Sequence, residues 1–462
     1  KIVIRILSKN KPDNILWATH FDNLIDELTK ELKTLQKEVN TNRNSVLTKL
    51  HDKLIALEKT NNINNPEYKL IKEKINEIEI EKLNNKHYEE ARFWYANGEK
   101  PTKSFFNRNK EKSSNIINSI KYNNKQSGST NDMLKFTHDY FKSLYSSKQI
   151  NINLLSETLN KTKTQYSFKS HHDNLNSDFN EKEIKAAIDN LAPEKAPGPD
   201  GIVMALFKNF KNQWIPILTN LFNEILIRKK TPKNFENSVI SLVPKPTTPS
   251  INSEPKDWRP ITLTNSAYKI FTKCLANRLT DIVEKCIGPH QTGFVQGRDI
   301  RENILTAQSL IEHYKTNNQK IALLLLDWEK AFDRVDHRSL INILKHLHFP
   351  PMVLNAVIAI YRNSWAAVKI NNKLSKQFKI NSGVKQGCPL SPILFIIIIE
   401  VLHSQFRLND NIKQNHLIKQ KSQGYADDTL LLINNNDELN EFYNEIKIYC
   451  NITGAKVNDD KS

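Results

Sequence analysis

Gln423-Gly424-Tyr425-Ala426-Asp427-Asp428-Thr429-Leu430-Leu431-Leu432-Ile433 sets two adjacent carboxylates against an apolar run. The run has the composition of a buried strand, and charge left unpaired at its end would cost several kcal/mol. A hard divalent cation compensates such a pair, because Mg²⁺ takes one or two protein carboxylates and completes its shell with phosphates and water. An ordinary Asp-Asp hairpin turn accounts for the tetrapeptide equally well.

A second stretch decides between the two readings. Ile321-Ala322-Leu323-Leu324-Leu325-Leu326 is wholly apolar, as a strand covered on both faces would be, and it ends on Asp327. If the two strands are neighbours, Asp327, Asp427 and Asp428 converge, and three carboxylates at one spot repel unless cations join them. Two ions about 3.5–4 Å apart at such a spot serve phosphoryl transfer. Asp428 is read either as a third ligand or as a carboxylate orienting the others.

Three segments carry a resemblance. They are Asp327-Trp328-Glu329-Lys330-Ala331-Phe332-Asp333-Arg334-Val335-Asp336-His337, then Gly383-Val384-Lys385-Gln386-Gly387-Cys388-Pro389-Leu390-Ser391-Pro392, then Tyr425-Ala426-Asp427-Asp428. In this order they resemble the palm motifs of reverse transcriptases of non-LTR (LINE-type) retrotransposons. The resemblance covers about 91–462 and is densest from 195 onward. It implies an α+β fold, a right-hand polymerase palm and fingers with an N-terminal α-helical extension, the thumb absent from this stretch. The activity it implies is RNA-directed DNA polymerisation with an RNA template, a DNA primer, dNTPs and two Mg²⁺, Mn²⁺ being a possible substitute. A nuclear location is implied in the same way.

The balance of 67 basic to 50 acidic residues, a net charge of +17, suits a polyanionic partner. Part of that signal reflects a chain rich in Asn, Lys and Ile. The four cysteines, Cys274, Cys286, Cys388 and Cys450, show no close spacing that reads as a disulfide framework or a zinc knuckle, and an intracellular, reducing compartment is expected. The most apolar run, 393–402, is too short to span a membrane and carries Glu400. The chain begins without Met and stops in mid-pattern, as a fragment would.

Four segments are expected: 1–90, a coiled-coil-like helical extension; 91–180, a basic and aromatic segment upstream of the polymerase; 181–320, fingers and the start of the palm; 321–462, the palm with its catalytic motifs. In the first, Leu24, Leu28, Leu32, Leu35 and Val39, then Val46, Leu50, Leu54 and Leu57, predict two or three amphipathic helices. In the second, aromatics among Arg92, Lys100, Lys103 and Arg108 suit RNA contact or a core seam. The polar stretches 112–130 and 151–176 read as loops. In the third, a helix over 181–191 capped by Asn180 or Asp178 enters the Pro- and Gly-rich loop 192–201.

The resemblance also assigns roles. Lys245 and Arg259 contact the triphosphate of the incoming nucleotide. Gln386 and Gly387 lie against the nucleotide, and Phe332 excludes the ribose 2′-hydroxyl. Gly293, Gly297 and Arg298 touch the template, and Tyr425 packs near the primer terminus. Lys461 is a candidate general acid for pyrophosphate. An RNA-dependent RNA polymerase, a group II intron-like enzyme, or a catalytically inactive remnant that only binds RNA are the competing readings; Phe332 and the complete set of carboxylates weigh against the first and the last.

Overall fold

Ala322–Leu326 and Asp428–Ile433 pair antiparallel in the computed structural model, with Leu326 opposite Thr429. The structure describes residues 2–59, 68–75, 117–161, 175–245 and 253–462. In chain order, the strands that shape the site are β1 (Asn237–Pro244), β2 (Trp258–Leu263), β3 (Ala322–Leu326), β4 (Trp365–Ile370), β5 (Ser422–Tyr425) and β6 (Asp428–Ile433). The helices are α1 (Trp17–Lys59), α2 (Thr130–Leu144), α3 (Ser266–Cys286), α4 (Ile300–Thr316), α5 (Ser391–Leu408) and α6 (Asn436–Thr453).

Residues 1–26 and 117–462 form one compact unit and 27–116 another. In the second unit the described residues are the remainder of α1 and a helical stretch over 68–75. One helix replaces the first two expected there, because 39–46 holds neither Gly nor Pro to stop it. The basic, aromatic segment around 91–108 lies outside the described residues.

Within the first unit the sheets follow from patterning and turns. β3, β6 and β5 form an antiparallel sheet in that order, with β6 central. β3 is therefore an edge, and Leu325 is 68% exposed, so the strand is not covered on both faces as its composition suggested. Its inner face does pack: Leu323, Leu430 and Leu432 meet Leu310 and Tyr314 of α4. In the second sheet β1 lies between an antiparallel β2 and a parallel β4. Against it α2 buries Met133, Leu134, Phe141 and Leu144 with Ile240, Val368 and Ile370.

Parts of the two stretches read as loops form regular elements among the described residues. Ile120–Tyr122 pairs with Lys125–Ser127 across Asn123 and Asn124, both left-handed (φ 47° and 61°), the two-residue turn that Asn tolerates best after Gly. Ile152–Lys161 is a helix whose Leu155 and Leu159 are buried. After the loop 192–201 the chain forms two helices, Met204–Asn209 and Lys211–Arg228, separated at Phe210.

Caps place other boundaries. Asn180 accepts from Glu183 N–H while Glu183 accepts from Asn180 N–H, so Asn180 rather than Asp178 starts the helix Glu181–Asn190. Asp299 and Glu302 make the same box for α4. In the following Pro- and Gly-rich loop, a Cβ on Gly198 would sit 2.4 Å from Asn265 N, so glycine lets the loop close on the start of α3. Among the described residues α5 alone is long and apolar enough to cross a membrane, longer than its sequence run suggested. It is buried on all sides, Ile393 through Phe406 without a break and 83% of its length in all, as a central core helix must be.

Candidate active site

The register of the first sheet fixes the carboxylates. Asp327 follows Leu326, whose partner Thr429 is preceded by Asp428, and Tyr425 pairs with Asp428, leaving Ala426-Asp427 as a two-residue hairpin turn. Ala426 has φ 57°, a conformation hairpins of this kind ordinarily give to glycine, so something must hold it.

Gln291 holds it. Its side-chain amide clamps both sides of Ala426, accepting from Ala426 N–H at 2.8 Å and donating to Ala426 C=O at 3.1 Å. The same Oε1 accepts from Gly293 N–H at 2.9 Å. Thr292 N–H and Asn303 Nδ2 donate to Gly424 C=O, and Gly424 N–H donates to His290 C=O. Gly293 packs so closely that a Cβ there would lie 2.2 Å from Ala426 N. Its missing side chain thus makes room for the chain's own turn. Gly293→Ala is expected to shift the Asp427 carboxylate and lower kcat by roughly 100-fold, the usual penalty of an ångström-scale misplacement. Circular dichroism and a melt showing an unfolded variant would refute that explanation.

Arg298 is a correction to the expected template contact. Its guanidinium donates to the carbonyls of Gly288, Gln291, Glu284 and Ile287 at 2.6–3.0 Å. Four of its five donors are thereby spent on the end of α3 and the chain that follows, which leaves no fork for a phosphate. Gly297 is left-handed (φ 78°) with open space where a Cβ would stand, so its backbone conformation is what calls for glycine.

The carboxylates do not all face one way. Asp327 and Asp427 line a cleft of about 890 Å³ with Lys245, Arg259, Phe332, Gln386, Gly387 and Lys461. Asp428 instead lines an adjoining cleft of about 440 Å³ with Tyr425, Ile300 and Ile304, and Asp327 and Lys461 border both. Asp327 thus stands beside both of the others, while Asp427 and Asp428 line different clefts. Among the described residues no group of three or more His, Cys, Asp or Glu side chains is gathered to hold an ion. Two carboxylates in an open, cation-rimmed cleft still fit a divalent ion that draws its remaining ligands from phosphate and water.

The electrostatics carry the same message. Burial raises the Asp427 carboxyl above the usual range, with Asp428 and Asp327 adding repulsion and Arg259 opposing it. Burial, then Asp327, raises Asp428. The cations repel one another in turn: burial and the charge of Lys461 lower the Lys245 ammonium. Burial, followed by Lys245, lowers Lys330 to about 8. Clustered cations beside under-neutralised carboxylates suit a ligand made of anion and metal together.

The cleft wall is firmly built. Asp327 Oδ2 accepts from Asn458 Nδ2 at 2.5 Å, and Asp327 C=O accepts from Asn458 N–H at 2.9 Å. Thr262 N–H of β2 donates to Gln386 C=O at 2.8 Å, and Gly387 (φ 104°) lies with its Cβ position 3.1 Å from Thr262 O. Phe332 stacks on Phe395 at 4.3 Å and meets Phe294 edge-on at 6.3 Å. Phe294 is 52% exposed and left-handed (φ 58°). Sequence reasoning missed Phe294, Lys330 and Gln291, although all three stand inside or beside quoted motifs.

Comparisons with known proteins agree with this geometry. Residues 243–462 match the family model described as reverse transcriptase (RNA-dependent DNA polymerase). The chain is 30% identical over 282 residues to the transposon TX1 uncharacterized 149 kDa protein of Xenopus laevis, covering 61% of this chain and 21% of that one. It is 29% identical over 289 residues to the probable RNA-directed DNA polymerase from transposon BS of Drosophila melanogaster, covering 61% and 31%. It is 28% identical over 241 residues to the retrovirus-related Pol polyprotein from type-1 retrotransposable element R2 of Nasonia vitripennis, covering 51% and 22%. The chain spans about a fifth to a third of the length of these curated relatives.

Proposed function

We propose that residues 243–462, which match the reverse transcriptase (RNA-dependent DNA polymerase) family model, form a reverse transcriptase domain of the non-LTR (LINE-type) kind, and that the chain extends a DNA primer with dNTPs on an RNA template. One observation supports this above the others: Asp327 and Asp427, on strands far apart in sequence, border one cleft with Lys245, Arg259 and Lys461.

In the reaction the primer 3′-oxygen bonds to the α-phosphorus of the dNTP, the bond to the bridging oxygen breaks, and pyrophosphate leaves with the hydroxyl proton passing to solvent. A pair of divalent ions, Mg²⁺ or Mn²⁺, held by Asp327 and Asp427 would lower the pKa of the attacking hydroxyl and neutralise charge on the leaving oxygens. Lys245 and Arg259 cradle the triphosphate, and Lys461 neutralises or protonates the departing pyrophosphate. Gln386 and Gly387 bear on the nucleotide, Phe332 on its sugar, and Tyr425 flanks the primer end. Asp428, exposed on the neighbouring cleft, orients the turn or contributes a further ligand.

Around this centre 181–320 supplies fingers and the start of the palm and 321–462 the rest of the palm. The basic segment 91–180 contacts RNA, and the work takes place in the nucleus. The test is extension of a labelled DNA primer on matched RNA and DNA templates with dNTPs or rNTPs. Extension with dNTPs on RNA supports the reading. Incorporation of rNTPs alone would make the chain an RNA polymerase, and RNA binding without extension would make it an inactive remnant.

A further inference from the structure

Asp333 is 1% exposed, and its two oxygens are engaged by different parts of the chain. The Tyr145 hydroxyl donates to Oδ1 at 2.8 Å, and Gln386 Nε2 donates to Oδ2 at 3.0 Å. Tyr145 stands just after α2, outside the residues that match the family model. It cannot swing away: its ring stacks on Phe141 and Phe378, at 6.1 and 6.3 Å, and its carbonyl accepts from Asn381 and Ser382 N–H. Asp333 and Gln386 both line the cleft that holds Asp327 and Asp427.

An ionised carboxylate only accepts hydrogen bonds. Gln386 must therefore present its NH₂ to Asp333, and the amide oxygen is the end left for the cleft. Were the carboxyl protonated or replaced by an amide, the Gln386 side chain would be free to turn over and offer a donor instead.

We infer that Asp333 is a positioning residue for nucleotide recognition: anchored by Tyr145, it locks the Gln386 amide with its oxygen toward the incoming nucleotide, as acceptor for a hydrogen-bond donor of that nucleotide. The inference rests on the polymerase reading of the cleft. It extends the working site to α2, upstream of the matched domain.

The protonation state fits this role. Burial pushes the Asp333 carboxyl up to about 6, against the bonds from Tyr145 and Gln386 and the charges of Lys330 and Lys245. Tyr140 and Lys148 also face it. The group is ionised at pH 8. Because the folded pKa lies above the unfolded one, its contribution to stability is greatest in acid and is lost as pH rises through about 6. A buried charge kept at a cost to stability is better explained by its effect on Gln386 than by folding.

The test is a double-mutant cycle in the full chain at pH 8 with Asp333→Asn, Gln386→Met and both together. Each single change is expected to raise the KM for dNTP about tenfold with kcat nearly unchanged, as loss of one good hydrogen bond does. The double variant is expected to match Gln386→Met alone, the Asp333→Asn melting temperature not to fall, and Tyr145→Phe to give a smaller KM increase. Additive effects, or a wild-type KM in Asp333→Asn, would overturn the inference. The same cycle read by equilibrium binding of a fluorescent dNTP, with a primer blocked at its 3′-end, needs no turnover. Additive binding then counts against Asp333, whereas absent extension with a non-additive binding cycle counts against the polymerase reading alone.

Discussion

Asp427→Asn is expected to lower the rate of primer extension by on the order of 1,000-fold, about 4 kcal/mol of lost transition-state stabilisation, while binding of the primer–template stays near wild type. Asp427 and Asp327 both line the cleft that holds the cationic side chains. Asp428→Asn is expected to cost less, about 10- to 100-fold, because that side chain lines the adjoining cleft. Equal losses at 427 and 428, measured as single-turnover rates, would mean that both carboxylates bind the ions. The raised pKa of Asp427 adds a second readout. A carboxyl whose folded pKa is raised makes its largest contribution to stability in acid and loses it as pH rises through that pKa. The metal-free Asp427→Asn chain is therefore expected to melt higher than wild type at pH 8, losing activity while gaining stability.

Phe332→Ala is expected to erode selection of deoxynucleotides by about 100-fold, measured as the ratio of kcat/KM for dNTP to that for rNTP, a typical limit when an apolar wall rejects one added hydroxyl. The ring is half-buried and lines the cleft, with Phe395 stacked flat behind it at 4.3 Å and Phe294 set edge-on. Backed in this way, the side chain cannot retreat from a larger sugar. Phe332→Leu keeps most of the packing and is expected to lose part of the selectivity with little loss of stability. An unchanged ratio in Phe332→Ala, with dNTP activity retained, would reduce Phe332 to a packing residue.

The pairing of the strands that frame the candidate site was legible in the sequence because it depends on period and adjacency. Apolar runs ending on Asp327 and beginning after Asp428 define two strands whatever surrounds them, and antiparallel pairing then brings their acidic ends together. Which cleft each side chain lines was not legible, since Asp427 stands in the two-residue turn and Asp428 at the start of β6, and only the pairing register places them. Arg298 shows the same limit: four carbonyls at the end of α3 satisfy it, a partner set with no local signature. Contacts across long separations were hidden for a related reason. Nothing near Tyr145 announces that its hydroxyl will meet Asp333, 188 residues away, and Gln291 reaches Ala426 over 135. The packing of Gly293 was hidden for the same reason: it accommodates the Ala426 backbone of this chain.

Titration with Mn²⁺, following the free ion by electron paramagnetic resonance in the presence of dNTP and a blocked primer–template, addresses most directly whether carboxylates from two distant strands share cations beside the nucleotide. The expected result is tight binding in the wild-type chain that is lost, with free Mn²⁺ restored, in Asp327→Asn and in Asp427→Asn alike. Wild-type Mn²⁺ binding in both folded variants would contradict a shared site.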